Sequence, residues 1–234
     1  MKIKVYHGSD HAIEKPNNSL AKPTNDYGRG FYMTEDIELA KEWAVKQGTD
    51  GFLNEYLFDY NGLKVLNLLD GNYTVLNWIA LLLNNRRFNI VDDLVIDAKN
   101  YILDNFLIDI SNYDVIIGYR ADDSYFSYAQ SFVNSTLSIE QLSKALKLGN
   151  LGVQIVLISD KALMNLKYIE SSKVKKDEYY SKYTDRDISA RDEYYKTIKN
   201  KSNYKTDTFI LDIMRSEMKN NDKRLQRFIS KWLC

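Results

Sequence analysis

One segment of this chain constrains its fold more than any other. From Gln154 to Ser159 the residues are apolar almost without a break. A strand with one wet face alternates apolar and polar residues, whereas a strand covered on both faces reads as a continuous apolar run. This segment therefore predicts a strand buried on both faces. Lys2 to His7 reads differently, with Ile3 and Val5 on one side and Lys2, Lys4 and Tyr6 on the other. That alternation predicts a first strand.

The rest of the chain falls between and after these strands. Gly8 to Asp26 holds both prolines and many Asn, Ser and Thr, and predicts a loop. Gly28-Arg29-Gly30 predicts a tight turn and Phe31 to Met33 a short strand. Thr34 is expected to cap a helix reaching about Gln47, with Ile37, Ala40 and Ala44 on its inner face. Further strands are expected at Asn54–Asp59, Leu63–Leu68, Tyr113–Tyr119 and, as the last one, Lys167–Ile169. Helices are expected at Asn72–Arg86, Asp92–Phe106, Tyr125–Val133 and Ser138–Leu148, and a short one at Asp160–Leu166 with Asp160 as its cap. Composition shifts at about Glu170. From there to Tyr204 the chain is rich in Lys, Asp, Tyr and Ser. This predicts a largely exposed helical segment that either meets nucleic acid through basic and stacking groups or is simply solvated. Thr208 to Leu233 regains apolar periodicity, which predicts one or two amphipathic helices packed on the domain or on a partner. The expected division is residues 1–170 as one domain and 171–234 as a helical C-terminal extension.

Several function classes are excluded at this stage. Lys+Arg and Asp+Glu are equal at 32 each, so no overall basic field points to nucleic acid. The one cysteine, Cys234, fits a reducing, cytoplasmic setting. The start has no signal-peptide pattern, and the longest apolar stretch, Trp78 to Leu83, is too short to span a membrane. There is no cluster with metal-ligand spacing, no phosphate-binding Walker loop, no Ser-His-Asp signature and no GxGxxG after a strand.

Two blocks carry candidate chemistry. His7 ends the first strand and precedes Gly8-Ser9. The second block is Tyr27-Gly28-Arg29-Gly30-Phe31-Tyr32-Met33-Thr34, where paired glycines allow close backbone approach. Strand alternation puts Phe31 and Tyr32 on opposite faces, so one of them lines something other than the main core. Each block alone has a plain structural reading, as a lone histidine and as a turn.

Their order along the chain resembles the NAD-binding half of the ADP-ribosyltransferase superfamily, in the diphtheria-toxin-like branch that includes the poly(ADP-ribose) polymerases. The third element of that branch is a Glu opening an apolar strand. Here Gln154 stands at that place. The chain is also similar to a bacterial family of ADP-ribosyltransferase-like proteins, DUF3990, over roughly residues 3 to 170. The residues that carry this likeness are Tyr6-His7-Gly8-Ser9, Asp26-Tyr27-Gly28-Arg29-Gly30-Phe31-Tyr32, Trp78 with Asn85-Arg86, and Gly118-Tyr119-Arg120-Ala121-Asp122-Asp123.

The resemblance implies an α+β fold with an ADP-ribosyltransferase-like split β-sheet, surrounding helices and a helical C-terminal extension. It implies NAD as co-substrate and mono-ADP-ribosyl transfer to a protein or nucleic acid. It also implies a possible toxin or phage-defence role, with a small antitoxin protein as partner and no membrane. His7 would bind ribose hydroxyls, Gly8 the carboxamide through its backbone with Ser9 assisting, and Tyr32 the nicotinamide ring. Gly30 belongs to the same binding turn. Arg29 either meets the pyrophosphate or is a solvated turn residue. Gln154 can accept a ribose hydroxyl but, lacking charge, cannot act as a base. Asp122 and Asp123 either supply the missing charge or form a helix N-cap pair. Arg86 either binds phosphate or caps a helix C-terminus. Hydrolysis of NAD and binding without turnover are the rival readings.

Overall fold

The computed structural model describes residues 1–121, 123–148, 152–199 and 206–231. In chain order the strands and helices are β1 (Lys2–Ser9), β2 (Phe31–Met33), α1 (Ile37–Ala44), β3 (Gly51–Asp59), β4 (Val65–Asn67), β5 (Asp70–Thr74), α2 (Val75–Asn85), α3 (Asp93–Phe106), β6 (Val115–Tyr119), α4 (Asp123–Val133), α5 (Ile139–Leu148), β7 (Val153–Leu157), α6 (Asp160–Met164), β8 (Leu166–Val174), α7 (Lys176–Lys199), α8 (Ile210–Arg215) and β9 (Ile229–Lys231). Short 3-10 turns cover Asn18–Leu20 and Lys223–Phe228. This is an α+β fold with two main sheets. One has the order β1-β3-β8, all antiparallel, and the other β2-β7-β6-β4, with only β4 and β6 parallel.

The apolar run lies in β7, an inner strand of the second sheet. Ile155 and Leu157 enter the core between the sheets with Val5, Met33, Tyr56 and Phe58. Val156, on the opposite face, joins the largest core, under α2, α3, α4 and α5. Covering both faces is what removes alternation from the sequence. A smaller core seats α1 and α7 on the first sheet through Ala40, Ala44, Leu53, Val174 and Tyr179.

Several expected boundaries are corrected. Thr34 does not cap α1, because its backbone N–H and C=O are both bonded to Tyr6. Asp36 is the cap, accepting from the Glu38 and Leu39 amides, and Ile37 lies on the outside. The helix stops at Ala44, ahead of a Lys46–Thr49 turn. Asn72 to Thr74, expected as the start of a helix, belong to β5. Their strand partner, β9, lies far along the chain in the tail. α2 begins at Val75, where Asn77 Oδ1 accepts from the Thr74 amide at 2.8 Å. Ser159, not Asp160, caps α6 through a bond from the Ala162 amide. β8 runs through residue 170 to Val174 and is followed by β9, so Lys167–Ile169 is not part of the last strand.

The expected cap at Ser138 is present, with Gln141 reciprocating. α7 is largely exposed. The tail buries Phe209, Ile210, Ile213, Leu225 and Phe228, most of them in the largest core, but as one short helix, a 3-10 turn and a strand. Among the described residues no helix is long and apolar enough to cross a membrane. Cys234 lies outside them.

Candidate functional site

Besides their shared core, the two sheets are joined by a backbone bridge between Tyr6 and Thr34. The Tyr6 amide donates to Thr34 O at 2.8 Å and the Thr34 amide to Tyr6 O at 3.0 Å. One residue further along β1, the backbones no longer pair. Instead the His7 ring bridges the gap, its Nδ1 lying 2.6 Å from Tyr32 O. Past this point a hollow of about 860 Å³ is lined by His7 to Ser9, much of the loop 10–26, Gly30 to Tyr32, Trp43, Arg86, Arg120, Gln154 and Tyr183. His7, Tyr32 and Gln154, far apart in sequence, thus share one hollow.

A carbonyl oxygen can only accept, so Nδ1 of His7 carries the hydrogen and neutral Nε2 is left as an acceptor. The ring packs on Phe31 at 4.4 Å between centroids. Burial lowers the imidazole pKa and the Tyr32 carbonyl offsets this only in part, so the neutral form is favoured. At Gly8 a Cβ would lie 2.0 Å from Ala40 O. β1 therefore presses directly on the backbone of α1, and only glycine fits.

The loop that forms one rim is held by Asn54, which is fully buried on β3. Its Oδ1 accepts from the Ile13 amide at 2.8 Å and the Ser171 hydroxyl at 2.6 Å. Its Nδ2 donates to His7 O at 3.2 Å and Ser9 Oγ at 2.8 Å. Ser9 in turn donates to His11 O, and the Tyr56 hydroxyl to Ile13 O. Ser9 is thus a loop anchor as well as a lining residue.

Tyr32 lines the hollow, and its side chain also packs on the largest core. The hydroxyl donates to Gly28 O at 2.8 Å and accepts from the Tyr27 amide at 3.0 Å, closing the glycine turn. Burial pushes its pKa far up, so it stays protonated. Gly30 packs so closely on β7 that a Cβ would meet Val156 Cγ1 at 2.6 Å. Arg29 does not line the hollow. Its guanidinium donates to Ser19 O and Ala21 O. It ties the loop to the glycine turn instead.

The other motifs meet at Asp26. Arg86 Nη1 donates to Asp26 Oδ1 at 3.1 Å and to Ala121 O at 2.7 Å. The Ala121 amide donates to Asp26 Oδ2 at 2.8 Å. Asn85 donates to Asp26 O, and its neighbour Arg86 stacks on Phe126 at 4.1 Å. Asn85-Arg86 is therefore a clamp on Asp26, with Arg86 also facing the hollow. Burial raises the Asp26 pKa, and the Ala121 amide and Arg86 pull it back. Tyr27 and Trp78 both donate to Tyr119 O and hold the end of β6. Of the two expected acids beyond it, Asp122 lies outside the described residues, and Asp123 opens α4.

Gln154 pairs with Gly118 in the sheet and is 6% exposed. Its Oε1 is buried with no hydrogen-bond partner among the described residues, and so is Nε1 of Trp43. Arg120 lies over the Trp43 ring at 5.1 Å. Among the described residues, five Lys and Arg side chains and three carboxylates line the hollow, and Asp26 is paired with one of the five, Arg86. The balance suits an anionic ligand.

Sequence reasoning missed Asp26, Asn54, Trp43, Arg120 and Tyr183 as site residues. Asp26 and Arg120 stand inside the motifs already quoted. The other three carry no sequence signal.

The family described as "Protein of unknown function (DUF3990)" matches residues 3–168. No curated protein and no solved structure matches the chain.

Proposed function

The chain belongs to the DUF3990 family, and we propose that it is a mono-ADP-ribosyltransferase that takes NAD into the hollow between its sheets. The observation that carries this reading is the meeting of His7, Tyr32 and Gln154 on that hollow. His7 and Tyr32 stand at the first two elements of the superfamily branch that the motifs resemble, and Gln154 stands in place of its third, a Glu. The volume is also suitable, since small-molecule sites commonly occupy roughly 300–1,000 Å³.

Breaking the nicotinamide–ribose bond releases a neutral group and leaves growing positive charge on the ribose. The protein must hold the dinucleotide bent and favour that charge. Neutral His7 would accept a ribose hydroxyl at Nε2. The face of Tyr32 suits a flat ring. The buried Gln154 oxygen would gain the partner it lacks from a second hydroxyl. Arg120 and Lys46 would offset the diphosphate charge. An amide at position 154 cannot deprotonate an acceptor, which favours a single transfer over chain growth. The acceptor is a protein or nucleic acid, and a small antitoxin protein is the regulatory partner this reading brings with it.

The same amide favours one alternative, a module that binds NAD or ADP-ribose without turnover. The test uses NAD labelled in its adenylate half, with and without cell lysate, on wild type and His7→Ala. Transfer predicts nicotinamide release and label on macromolecules with wild type, and a loss of both by at least about tenfold in the variant. Equal labelling in both proteins overturns the assignment. Lysate-independent release of free ADP-ribose means a glycohydrolase, and binding without release means a reader.

A further inference from the structure

Among the described residues, those lining the hollow run from His7 to Gln154, except Tyr183. That residue is on α7, beyond the segment matched by the family. α7 is highly charged and largely exposed. Its inward stripe is short: Tyr179, Tyr180, Tyr183 and Arg186, at helical spacing.

That stripe is anchored on both sides of Tyr183. One turn earlier, the Tyr179 hydroxyl accepts from Lys41 Nζ at 3.0 Å and donates to the Glu38 carboxylate at 3.2 Å. Lys182 adds an ion pair to Glu38 at 3.2 Å. Nearly one turn later, Arg186 Nη2 meets Glu42 Oε1 at 2.8 Å. Glu42 is a carboxylate only 3% exposed on α1, and a buried carboxylate demands a cation. A merely solvated helix needs no such anchors. Here they flank Tyr183, the residue of this stretch that lines the hollow, on the side where α1 also presents Trp43.

We propose that Tyr183 is a ligand-binding residue, an aromatic wall supplied by the C-terminal extension for a flat ring of the molecule held in the hollow. Naming NAD as that molecule rests on the proposed function; the wall itself does not. Glu42 and Arg186 act as positioning residues, holding the wall in place.

The experiment is calorimetric titration of the full chain with NAD, ADP-ribose and AMP, for wild type, Tyr183→Ala, Tyr183→Phe and Tyr180→Ala, with thermal melts of each. Tyr180 lies on the same stripe but does not line the hollow. Tyr183→Ala is expected to weaken binding about tenfold, the size of one lost ring contact, with Tyr183→Phe and Tyr180→Ala close to wild type. Unchanged affinity in Tyr183→Ala, with only a lowered melting temperature, would overturn the proposal and leave Tyr183 a prop for α7. Wild type that ignores NAD but binds ADP-ribose or AMP, with Tyr183→Ala weakened, sinks the transferase reading and keeps the wall. Binding of none of the three overturns both.

Discussion

The two walls of the hollow follow opposite rules. On the β1–β3 side the buried polar hub is saturated. Asn54 makes four hydrogen bonds, and through them the loop, His7 O and Ser9 are all held. On the β7 side Gln154 Oε1 is buried without a hydrogen-bond partner among the described residues. Saturation fixes shape. An unpaired buried group costs about 1–3 kcal/mol, and the β7 wall bears that cost at Gln154. The comparison therefore separates the scaffold of the site from the part that a ligand completes.

The largest effect should come from breaking the saturated wall. Asn54→Leu removes four side-chain bonds and strands the buried end of the Ile13 amide contact, so urea unfolding should show a loss of about 3 kcal/mol. A loss under about 1 kcal/mol would mean that the loop is held by something else. The unsatisfied wall predicts the opposite sign. Gln154→Met keeps the length and removes the orphan acceptor, so it should leave stability equal or raise it by about 1 kcal/mol. A clear destabilisation would show that the amide has a structural partner.

The smallest effect is a pH slope at the seam between the walls. Burial lowers the His7 pKa from its ordinary value of 6.5. Between that value and the lowered one, the unfolded chain binds more protons than the folded chain. His7's contribution to stability is therefore fully present above about 6.5 and is lost as pH falls through the lowered folded value. Denaturation midpoints of wild type measured from pH 7.5 down to 5 should carry this slope, and those of His7→Gln should lack its share. Parallel curves would place the imidazole in water rather than under Phe31 and Tyr32.

The unsatisfied wall was partly legible in the sequence, and the saturated one hardly at all. Gln154 announced itself because it opens a run with no alternation, and β7 is indeed covered on both faces. The glycine at 30 was legible because paired glycines allow close backbone approach, whereas the crowding at Gly8 appears only in the fold. Asn54 gave nothing away. Its partners lie between about 41 and 117 residues distant, and a polar residue at a strand start reads as an edge. Asp26 stood in a quoted motif, yet its meaning depends on Arg86 and Ala121, which only the fold brings to it. Asn72 to Thr74 read as helix because a long apolar run follows them, while the strand that pairs with them is in the tail. Local pattern finds faces and turns; it does not find pairings set by tertiary contact.

The most direct measurement is calorimetric titration of NAD into the intact chain, run beside Gln154→Met under the same conditions. If the β7 wall is kept unpaired for a ligand, the wild type will bind NAD saturably, and the variant, folded at least as well, will lose most of that affinity. Equal affinity in the two proteins, or no heat with the wild type, would contradict it.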